Sequence, residues 1–194
     1  MRRLPRGYSD SFRIIGGQFR GRRLAFPPLP GLRPTPDRVR QTLFDWLAPL
    51  IHGSRCLDLF AGSGALGLEA LSRGASFVTF VEREPAALAA IRDHLEMLGA
   101  SAETCLGDAL SVLPTLAAGK GGRYDVVFLD PPFDSDLRAR ALDALVAQDR
   151  ITPGGLVYVE GPAEELPPQP QGFELHRSKR AGNVGFHLLR RGLG

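Results

Sequence analysis

A glycine-rich segment is the first part of the sequence with the residue types and spacing of a binding site. Residues 58–67 read D-L-F-A-G-S-G-A-L-G after a short apolar run, and their glycines fit the pattern G-x-G-x-x-G at Gly62, Gly64 and Gly67. Glycines in this arrangement let the chain turn sharply and bring backbone amides close to a bound nucleotide. We therefore expect Phe60, Gly62 and Gly64 to contact a nucleotide-containing cofactor.

Acidic residues stand at the ends of three consecutive predicted strands: Asp58, Glu82 and Asp108. Glu82 follows Gly62 by 20 residues, which is the spacing of dinucleotide-binding enzymes. Asp58 argues against a dinucleotide, because a carboxylate facing the pocket would repel a pyrophosphate. It suits S-adenosylmethionine, which carries both an ammonium and a sulfonium. In that interpretation Glu82 accepts hydrogen bonds from the ribose hydroxyls, and Asp108 accepts from the adenine amino group.

The second chemical signal is the tetrapeptide Asp130-Pro131-Pro132-Phe133, which directly follows an apolar strand predicted over residues 125–129. The carboxyl ends of parallel strands form the ligand crevice of an open sheet, so this motif and the glycine segment should meet there. The Asp130 carboxylate and the Pro131 carbonyl can each accept one N–H of an exocyclic base amine and hold it for attack on a methyl group. Phe133 offers a face on which the base can stack.

The N-terminal part of the chain is strongly basic, although the whole chain has a formal net charge of only +3. Residues 1–40 contain ten arginines and two aspartates, a local charge of +8, whereas the remaining 154 residues carry −5. A basic arm on a mildly acidic body indicates a polyanionic partner, and arginine suits phosphates and bases. We expect RNA contacts from Arg13, Arg20, Arg22, Arg23 and Arg38. For Arg38, on a predicted helix whose arginines face away from the core, a merely solvated position is an equal alternative.

Composition excludes several classes of protein. The 194 residues allow one sizeable core, and 43% hydrophobic with 23% charged residues is typical of a soluble globular domain. No apolar run approaches the roughly 18 residues that span a bilayer, and no secretory signal follows the basic N-terminus, so we expect a cytoplasmic protein without membrane contact. The two cysteines, Cys56 and Cys105, read as inert core thiols, and the histidines lack metal-ligand spacing, so no metal is expected.

The elements that must position these residues alternate between strand and helix from residue 55 onward, which predicts an α/β fold with a largely parallel sheet. Before it, the sequence predicts a β-hairpin over residues 12–15 and 23–26 and a helix over 36–48, with Thr35 as its N-cap. A third helix of the alternating region is expected over 109–118. A C-terminal antiparallel hairpin is expected over 173–177 and 184–189, joined by residues 179–183. We divide the chain into a basic extension for RNA contact, residues 1–50, and a methyltransferase domain, residues 51–194.

These motifs together resemble the RsmD family of bacterial RNA methyltransferases over nearly the whole chain. The N-terminal part of the resemblance lies in R-I-I-G-G-Q-F-R-G-R (13–22), G-L-R-P-T (31–35) and D-R-V-R-Q-T-L-F (37–44). The central part lies in C-L-D-L-F-A-G-S-G-A-L-G-L-E-A-L-S-R (56–73) and D-P-P-F (130–133). The glycine motif alone fits many methyltransferases, and its combination with the N-terminal pattern and D-P-P-F is far more specific.

The resemblance implies a Rossmann-like class I methyltransferase fold, with a seven-stranded, mostly parallel sheet that ends in an antiparallel hairpin. It also implies S-adenosylmethionine as methyl donor, without a metal, and the exocyclic N2 of a guanine in 16S rRNA as acceptor. The implied partner is the small ribosomal subunit or its late precursor, and we expect the protein to act as a monomer.

Three alternatives remain open from the residues themselves. A methyltransferase for adenine N6 or cytosine N4 of DNA or RNA fits D-P-P-F equally well, because the motif serves any exocyclic amine. A dinucleotide-dependent oxidoreductase fits the glycine pattern, but not Asp58. A non-catalytic RNA-binding module would leave the acidic strand ends without a role.

Overall fold

The strands in the described part of the chain form a seven-stranded sheet and a separate two-stranded hairpin. The computed structural model describes residues 8, 10–116, 122–132 and 136–193. In chain order the strands are β1 Asp10–Arg13, β2 Arg23–Phe26, β3 Arg55–Asp58, β4 Phe77–Glu82, β5 Glu103–Leu106, β6 Tyr124–Leu129, β7 Ile151–Pro162, β8 Phe173–Ala181 and β9 Val184–Arg191. The helices are α1 Asp37–Leu47, α2 Ala65–Ser72, α3 Pro85–Leu98, α4 Ala109–Val112 and α5 Leu137–Ala147.

The large sheet has the order β5-β4-β3-β6-β7-β9-β8. Strands β3 to β7 are parallel to one another, and β9 runs antiparallel to both β7 and β8. The order reverses direction at β3 and β6, and the carboxyl ends of strands at such a switch point form the ligand crevice of an open sheet. The predicted fold class, a mostly parallel seven-stranded sheet with a C-terminal antiparallel hairpin, is confirmed.

Two apolar layers cover the sheet. One contains α1, α2, α3 and the β1–β2 hairpin, and the other contains α4 and α5. Helix α1 contributes Phe44, whose ring centre lies 5.9 Å from that of Phe128, and Trp46, which stacks on Phe186 at 5.4 Å. The N-terminal residues from β1 onward therefore share the core of the sheet, and α1 covers the part of it formed by β6 to β9.

Several element boundaries differ from the predictions. The helix expected over 109–118 is wrong in length: α4 ends at Val112 and continues only as a 3-10 turn over Leu113–Thr115, because Pro114 supplies no amide hydrogen for an α-helical bond. Residues 117 and 118 lie outside the described residues. In the C-terminal hairpin, residues 179–181 belong to β8, and only Gly182 and Asn183 form the link. The apolar run 156–159 predicts a strand that ends at residue 159, whereas β7 extends to Pro162, because β9 pairs with it up to that residue.

The arginines of α1 have different environments. Arg38 is exposed, as predicted, but the same prediction is wrong for Arg40, which is fully buried. The Arg40 guanidinium donates to the carbonyls of Arg13 (2.8 Å) and Thr35 (3.0 Å) and to carboxylate oxygens of Asp37 (2.6 Å) and Glu69 (3.4 Å). It therefore ties the hairpin, the connector before α1 and helix α2 together.

Glu69 on α2 is the buried counter-charge of this network. It accepts hydrogen bonds from the Ile15 amide (2.9 Å), the Gly16 amide (2.8 Å) and the Arg73 side chain (2.8 Å). The N-terminal hairpin is thus anchored to the helix that follows the glycine segment.

Replacing Arg40 by leucine should lower the free energy of unfolding by about 3 kcal/mol, because Glu69 would lose a buried positive partner. The matched substitution Arg38→Leu, on the exposed face of the same helix, should change it by less than about 0.5 kcal/mol. Urea unfolding followed by circular dichroism measures both. Equal effects of the two substitutions would contradict the anchoring role of Arg40.

Candidate active site

The glycine segment forms the turn between β3 and α2. Gly62 and Gly64 have φ angles of +52° and +77°, in the left-handed region that glycine adopts without strain. A side chain at Gly67 would come within 2.3 Å of the Phe80 ring, so the third glycine lets α2 pack closely on the sheet. Gly64 faces Ile91 and is not part of the cleft wall, whereas Phe60 and Gly62 line the cleft.

The two acidic residues at the ends of β3 and β4 hold this turn. The buried Asp58 carboxylate accepts from the Gly67 amide at 2.9 Å. Glu82 accepts from the Gly62 amide at 2.7 Å and, through its other oxygen, from the Glu84 amide at 2.8 Å. Burial, together with the negative charge of Glu82, raises the pKa of Asp58 to about 7. A buried carboxylate of this kind favours a cationic ligand in the cleft beside it.

Asp108 follows β5 by two residues instead of ending it. It is the N-cap of α4, where one carboxylate oxygen accepts from the Ser111 amide (3.1 Å) and hydroxyl (3.0 Å). The side chain is exposed at the rim of the cleft. Capping of α4 is enough to account for an aspartate at position 108, so the contact of Asp108 with adenine stays a prediction.

Asp130 lies at the carboxyl end of β6, next to a second acidic residue that the sequence interpretation missed. Leu129 pairs with Val159 in the sheet, so Asp130 and Glu160 are the next residues on neighbouring parallel strands. The Thr35 hydroxyl contacts both carboxyl groups, and the Tyr158 hydroxyl donates to Glu160 at 2.6 Å. Burial, and then the charges of Glu160 and Asp58, raise the pKa of Asp130 well above its ordinary value.

Thr35 also corrects the prediction for the start of α1. Pro36 is the residue before the helix, and α1 has no side-chain cap. The predicted N-cap residue instead directs its hydroxyl toward Asp130, which follows β6, and Glu160, which lies in β7. Glu160 was detectable in the sequence by the same rule that found Asp58, since it is an acidic residue after the apolar run Leu156–Val159.

An open cleft of about 670 Å³ brings most of the predicted site residues together. Its walls are the glycine segment, the carboxyl ends of the parallel strands and the connector of residues 29–36. The predicted residues in these walls are Asp58, Phe60, Gly62, Glu82, Asp108, Asp130 and Pro131. Phe133 lies outside the described residues.

The predicted RNA-contacting arginines lie outside the walls of this cleft. Arg20 and Arg22 belong to the turn between β1 and β2, Arg13 and Arg23 to the strands, and Arg38 to α1, and all five are exposed. Among the described residues of the basic arm, Arg33 in the connector is an arginine that lines the cleft. The hairpin and α1 lie on the same face of the sheet, so these arginines share one side of the molecule.

Other predictions concern thiols, metals and membranes. Cys56 is buried as expected, but Cys105 is only half-buried, because β5 is an edge strand. Within the described parts of the chain, no group of three or more His, Cys, Asp or Glu side chains is arranged to hold a metal ion. The helices that the structure describes include none long and apolar enough to cross a membrane.

Comparison with known proteins places this geometry in a family. The family model described as "Conserved hypothetical protein 95" matches residues 12–190. "Ribosomal RNA small subunit methyltransferase D" of Escherichia coli K12 is 46% identical over 185 residues, covering 94% of this chain and 91% of the relative. The protein of the same name from Haemophilus influenzae is 42% identical over 91% of this chain and 92% of its own. The chain belongs to the RsmD family.

Solved structures agree with this membership. A putative methyltransferase from Escherichia coli superposes with a TM-score of 0.86 at 45% identity, covering 95% of this chain and all of the other. A putative methylase from Haemophilus influenzae gives 0.80 at 38% identity, covering 94% and 99%. A Streptococcus mutans protein, described as a putative methyltransferase complexed with SAH, shares the fold alone. It superposes with a TM-score of 0.62 at 16% identity, covering 79% of this chain and 48% of the other. This RsmD family member thus has the fold of S-adenosylmethionine-dependent methyltransferases, which favours a methyltransferase over an oxidoreductase or a non-catalytic RNA-binding module.

Proposed function

We propose that the protein transfers a methyl group from S-adenosylmethionine to the exocyclic N2 of a guanine in 16S rRNA, in the small ribosomal subunit or its late precursor. The observation that carries this proposal is the position of Asp130 and Pro131 in the same cleft as the acid-lined glycine turn. Relatives named as small-subunit rRNA methyltransferases, at 42–46% identity over most of the chain, support the substrate class.

The cofactor site follows from charge. A buried carboxylate whose pKa is raised to about 7 suits the cationic methionine part of the cofactor, and we assign that contact to Asp58. Phe60 and Gly62 would border the cofactor. Glu82 would accept hydrogen bonds from its ribose hydroxyls, and Asp108 would accept one from its adenine amino group. The bound cofactor supplies an electrophilic methyl group on a sulfonium. The residues of the chain bind and orient both reactants around it.

The base site follows from acceptor geometry. An exocyclic amine is a poor nucleophile, because its lone pair is delocalised into the ring. Two acceptors, the Asp130 carboxylate and the Pro131 carbonyl, hold the two N–H groups and favour a pyramidal nitrogen that presents its lone pair to the methyl group. An amine that gains a methyl group must lose one proton, and the Asp130 carboxylate, which would hold one of its N–H groups, would accept it. Phe133 would stack on the extruded base.

Glu82→Ala should weaken binding of S-adenosylhomocysteine by about 1.5–3 kcal/mol, the value of a charge-assisted hydrogen bond. The exposed residue Glu96 on α3 offers a matched control, Glu96→Ala, which should leave the affinity unchanged. Isothermal titration against S-adenosylhomocysteine and NAD measures both variants and the wild type. Tight binding of NAD with none of S-adenosylhomocysteine would overturn the cofactor assignment.

The exposed arginines of the extension, residues 1–50, should provide the RNA contact. If about four of them bind phosphates, the slope of log affinity against log salt should be near −3, from roughly −0.7 per contact with single strands. Replacing Arg20, Arg22 and Arg23 by alanine should flatten the slope by about 2 and leave S-adenosylhomocysteine binding intact.

Filter-binding titrations with small-subunit rRNA at several salt concentrations measure this slope. Arg140→Ala, an exposed change on α5 at the opposite face of the sheet, is the control and should keep the wild-type slope. Identical slopes for the triple variant and the wild type would show that these three arginines do not bind RNA.

A further inference from the structure

A second buried carboxyl group stands beside the proposed catalytic one and has no role in the function proposed above. Glu160 is 4% exposed, ends the apolar part of β7 and lines the same cleft as Asp130 and Pro131. The register pairs Phe128 with Tyr158 and Leu129 with Val159, so Asp130 and Glu160 continue two adjacent parallel strands. Because side chains alternate along a strand, the two carboxyl groups lie on the same face of the sheet.

The contacts of Glu160 are hydroxyl groups instead of cations. Tyr158 donates to it at 2.6 Å, and the Thr35 hydroxyl is its other side-chain hydrogen-bond partner. Among the described residues, none of the ion pairs includes Glu160 or Asp130. A buried carboxylate without a cation costs stability, so packing alone does not explain its presence. Burial raises the pKa of Glu160, and the hydrogen bonds with the Tyr158 and Thr35 hydroxyls oppose that shift. The carboxylate keeps lone pairs for a further donor, since it offers about four acceptor sites.

The edge of guanine that carries N2 matches the acceptors of Glu160, Asp130 and Pro131. Guanine presents three adjacent N–H groups there, one on ring nitrogen N1 and two on the N2 amine. Adenine and cytosine present a bare ring nitrogen, an acceptor, next to their amines. A carboxylate opposite N1–H of guanine gains a charge-assisted hydrogen bond, whereas the same carboxylate opposite the ring nitrogen of adenine or cytosine meets another acceptor.

Building on the proposed function, we propose that Glu160 is the residue that selects guanine, by accepting the N1–H of the base whose N2 amine is held by Asp130 and Pro131. Tyr158 and Thr35 then act as positioning residues that fix the Glu160 carboxylate. The residues that hold the amine for methyl transfer would then differ from the residue that selects the base. Asp130 and Pro131 serve any exocyclic amine, and Glu160 restricts the site to a base with a neighbouring N–H.

The test compares guanine with 2-aminopurine, which keeps the N2 amine but has an unprotonated N1. Small subunits are reconstituted with 16S rRNA that carries either base at the methylated position, introduced by ligation of a synthetic segment. Single-turnover methylation at pH 8 is measured for the wild type, Glu160→Gln and the control Glu164→Gln, an exposed residue that pairs with Arg180 outside the cleft. 2-Aminopurine also lacks O6. The effect of that loss is the same for all three proteins, so it cancels when their ratios of the rate on guanine to the rate on 2-aminopurine are compared.

The wild type should prefer guanine by about 10²-fold or more, as expected of a site built to accept a substrate N–H. Glu160→Gln should narrow the preference by about tenfold, because an amide can turn its NH₂ group toward a bare ring nitrogen. Glu164→Gln should keep the wild-type preference. Equal rates of the wild type on the two bases, or an unchanged preference in a Glu160→Gln variant with normal S-adenosylhomocysteine binding, would overturn the proposal.

Equal wild-type rates on the two bases overturn the proposal without any variant. If Glu160→Gln does not fold, Tyr158→Phe, which removes the hydroxyl donated to Glu160, should narrow the preference for guanine, and an unchanged preference in that variant would overturn the proposal. A wild type that methylates neither substrate, or modifies another base of the rRNA, would instead contradict the proposed function. The two failures are therefore distinguishable.

Discussion

Asp130→Ala should lower the rate of methyl transfer by about 10²-fold or more and leave the affinity for S-adenosylhomocysteine nearly unchanged. The substitution removes one of the two acceptors proposed to hold the attacking amine, and its expected size is that of removing a single oxyanion-hole donor. The free energy of unfolding of Asp130→Ala should not fall along with its methylation rate. Burial and the neighbouring Glu160 raise the pKa of Asp130, so its charge disfavours the folded state.

Asp136→Ala is the matched control, because Asp136 is an exposed aspartate six residues further on and pairs only with Arg140 among the described residues. Single-turnover methylation of small subunits, calorimetric titration with S-adenosylhomocysteine and urea unfolding should be measured on both variants. A normal methylation rate in Asp130→Ala would remove the mechanism proposed for the amine. A parallel loss of cofactor affinity would assign Asp130 to the cofactor site instead.

Asp58→Asn should weaken cofactor binding by about 10²-fold at pH 8 and stabilise the free protein by about 2–4 kcal/mol. The pKa of Asp58 is about 7 in the folded protein, above its ordinary value of 3.8. Folding therefore takes up a proton between these pH values, and the Asp58 carboxylate makes the folded state progressively less stable as pH rises through this interval. Asparagine keeps an oxygen for the Gly67 amide and carries no charge to bury.

The same pKa predicts how cofactor binding depends on pH. With a pKa near 7, the ionised fraction of Asp58 rises about tenfold from pH 6 to pH 8, and the affinity for the cationic ligand should rise with it. Asp130 and Glu160, which also face the cleft with raised pKa values, act in the same direction, and the Asp58→Asn variant separates their contribution. Titrations with S-adenosylhomocysteine at pH 6, 7 and 8, with urea unfolding at pH 5 and 8, measure both effects. An equal pH dependence of S-adenosylhomocysteine affinity in the wild type and Asp58→Asn would contradict the role of Asp58.

The sequence predicted the site best where one rule of topology applied. The carboxyl ends of parallel strands meet at one edge of the sheet, so the acidic residues after successive apolar runs were expected together, and Asp58, Glu82 and Asp130 do line one cleft. Glu160 fits the same rule, because it directly follows the apolar run Leu156–Val159, but the sequence interpretation gave it no role. The extent of β7 was less predictable, because the pairing with β9 that carries this strand past residue 159 joins residues 22 to 26 positions apart, a separation that local patterns do not encode.

The environments of Arg40 and Thr35 were unpredictable for a similar reason. Helical periodicity shows which residues share a face of α1, but it does not show that an arginine on that helix has a buried counter-charge on α2, 29 residues further along the chain. The local signal at Thr35 was a good N-cap, and tertiary contacts with the carboxyl groups of Asp130 and Glu160 overrode it. Both residues belong to the junction between the basic extension and the sheet, where packing of distant segments decides the outcome.

The most direct test of the account is the chemical identity of the methylated nucleoside. Small subunits from cells that lack their own RsmD-family gene are incubated with the purified protein and methyl-labelled S-adenosylmethionine, and the 16S rRNA is digested to nucleosides for mass spectrometry. We expect the label in N2-methylguanosine, from one position, with Asp130→Ala giving at most about one hundredth of the wild-type rate. Label in N6-methyladenosine or N4-methylcytidine, or no label in the small-subunit rRNA, would contradict it.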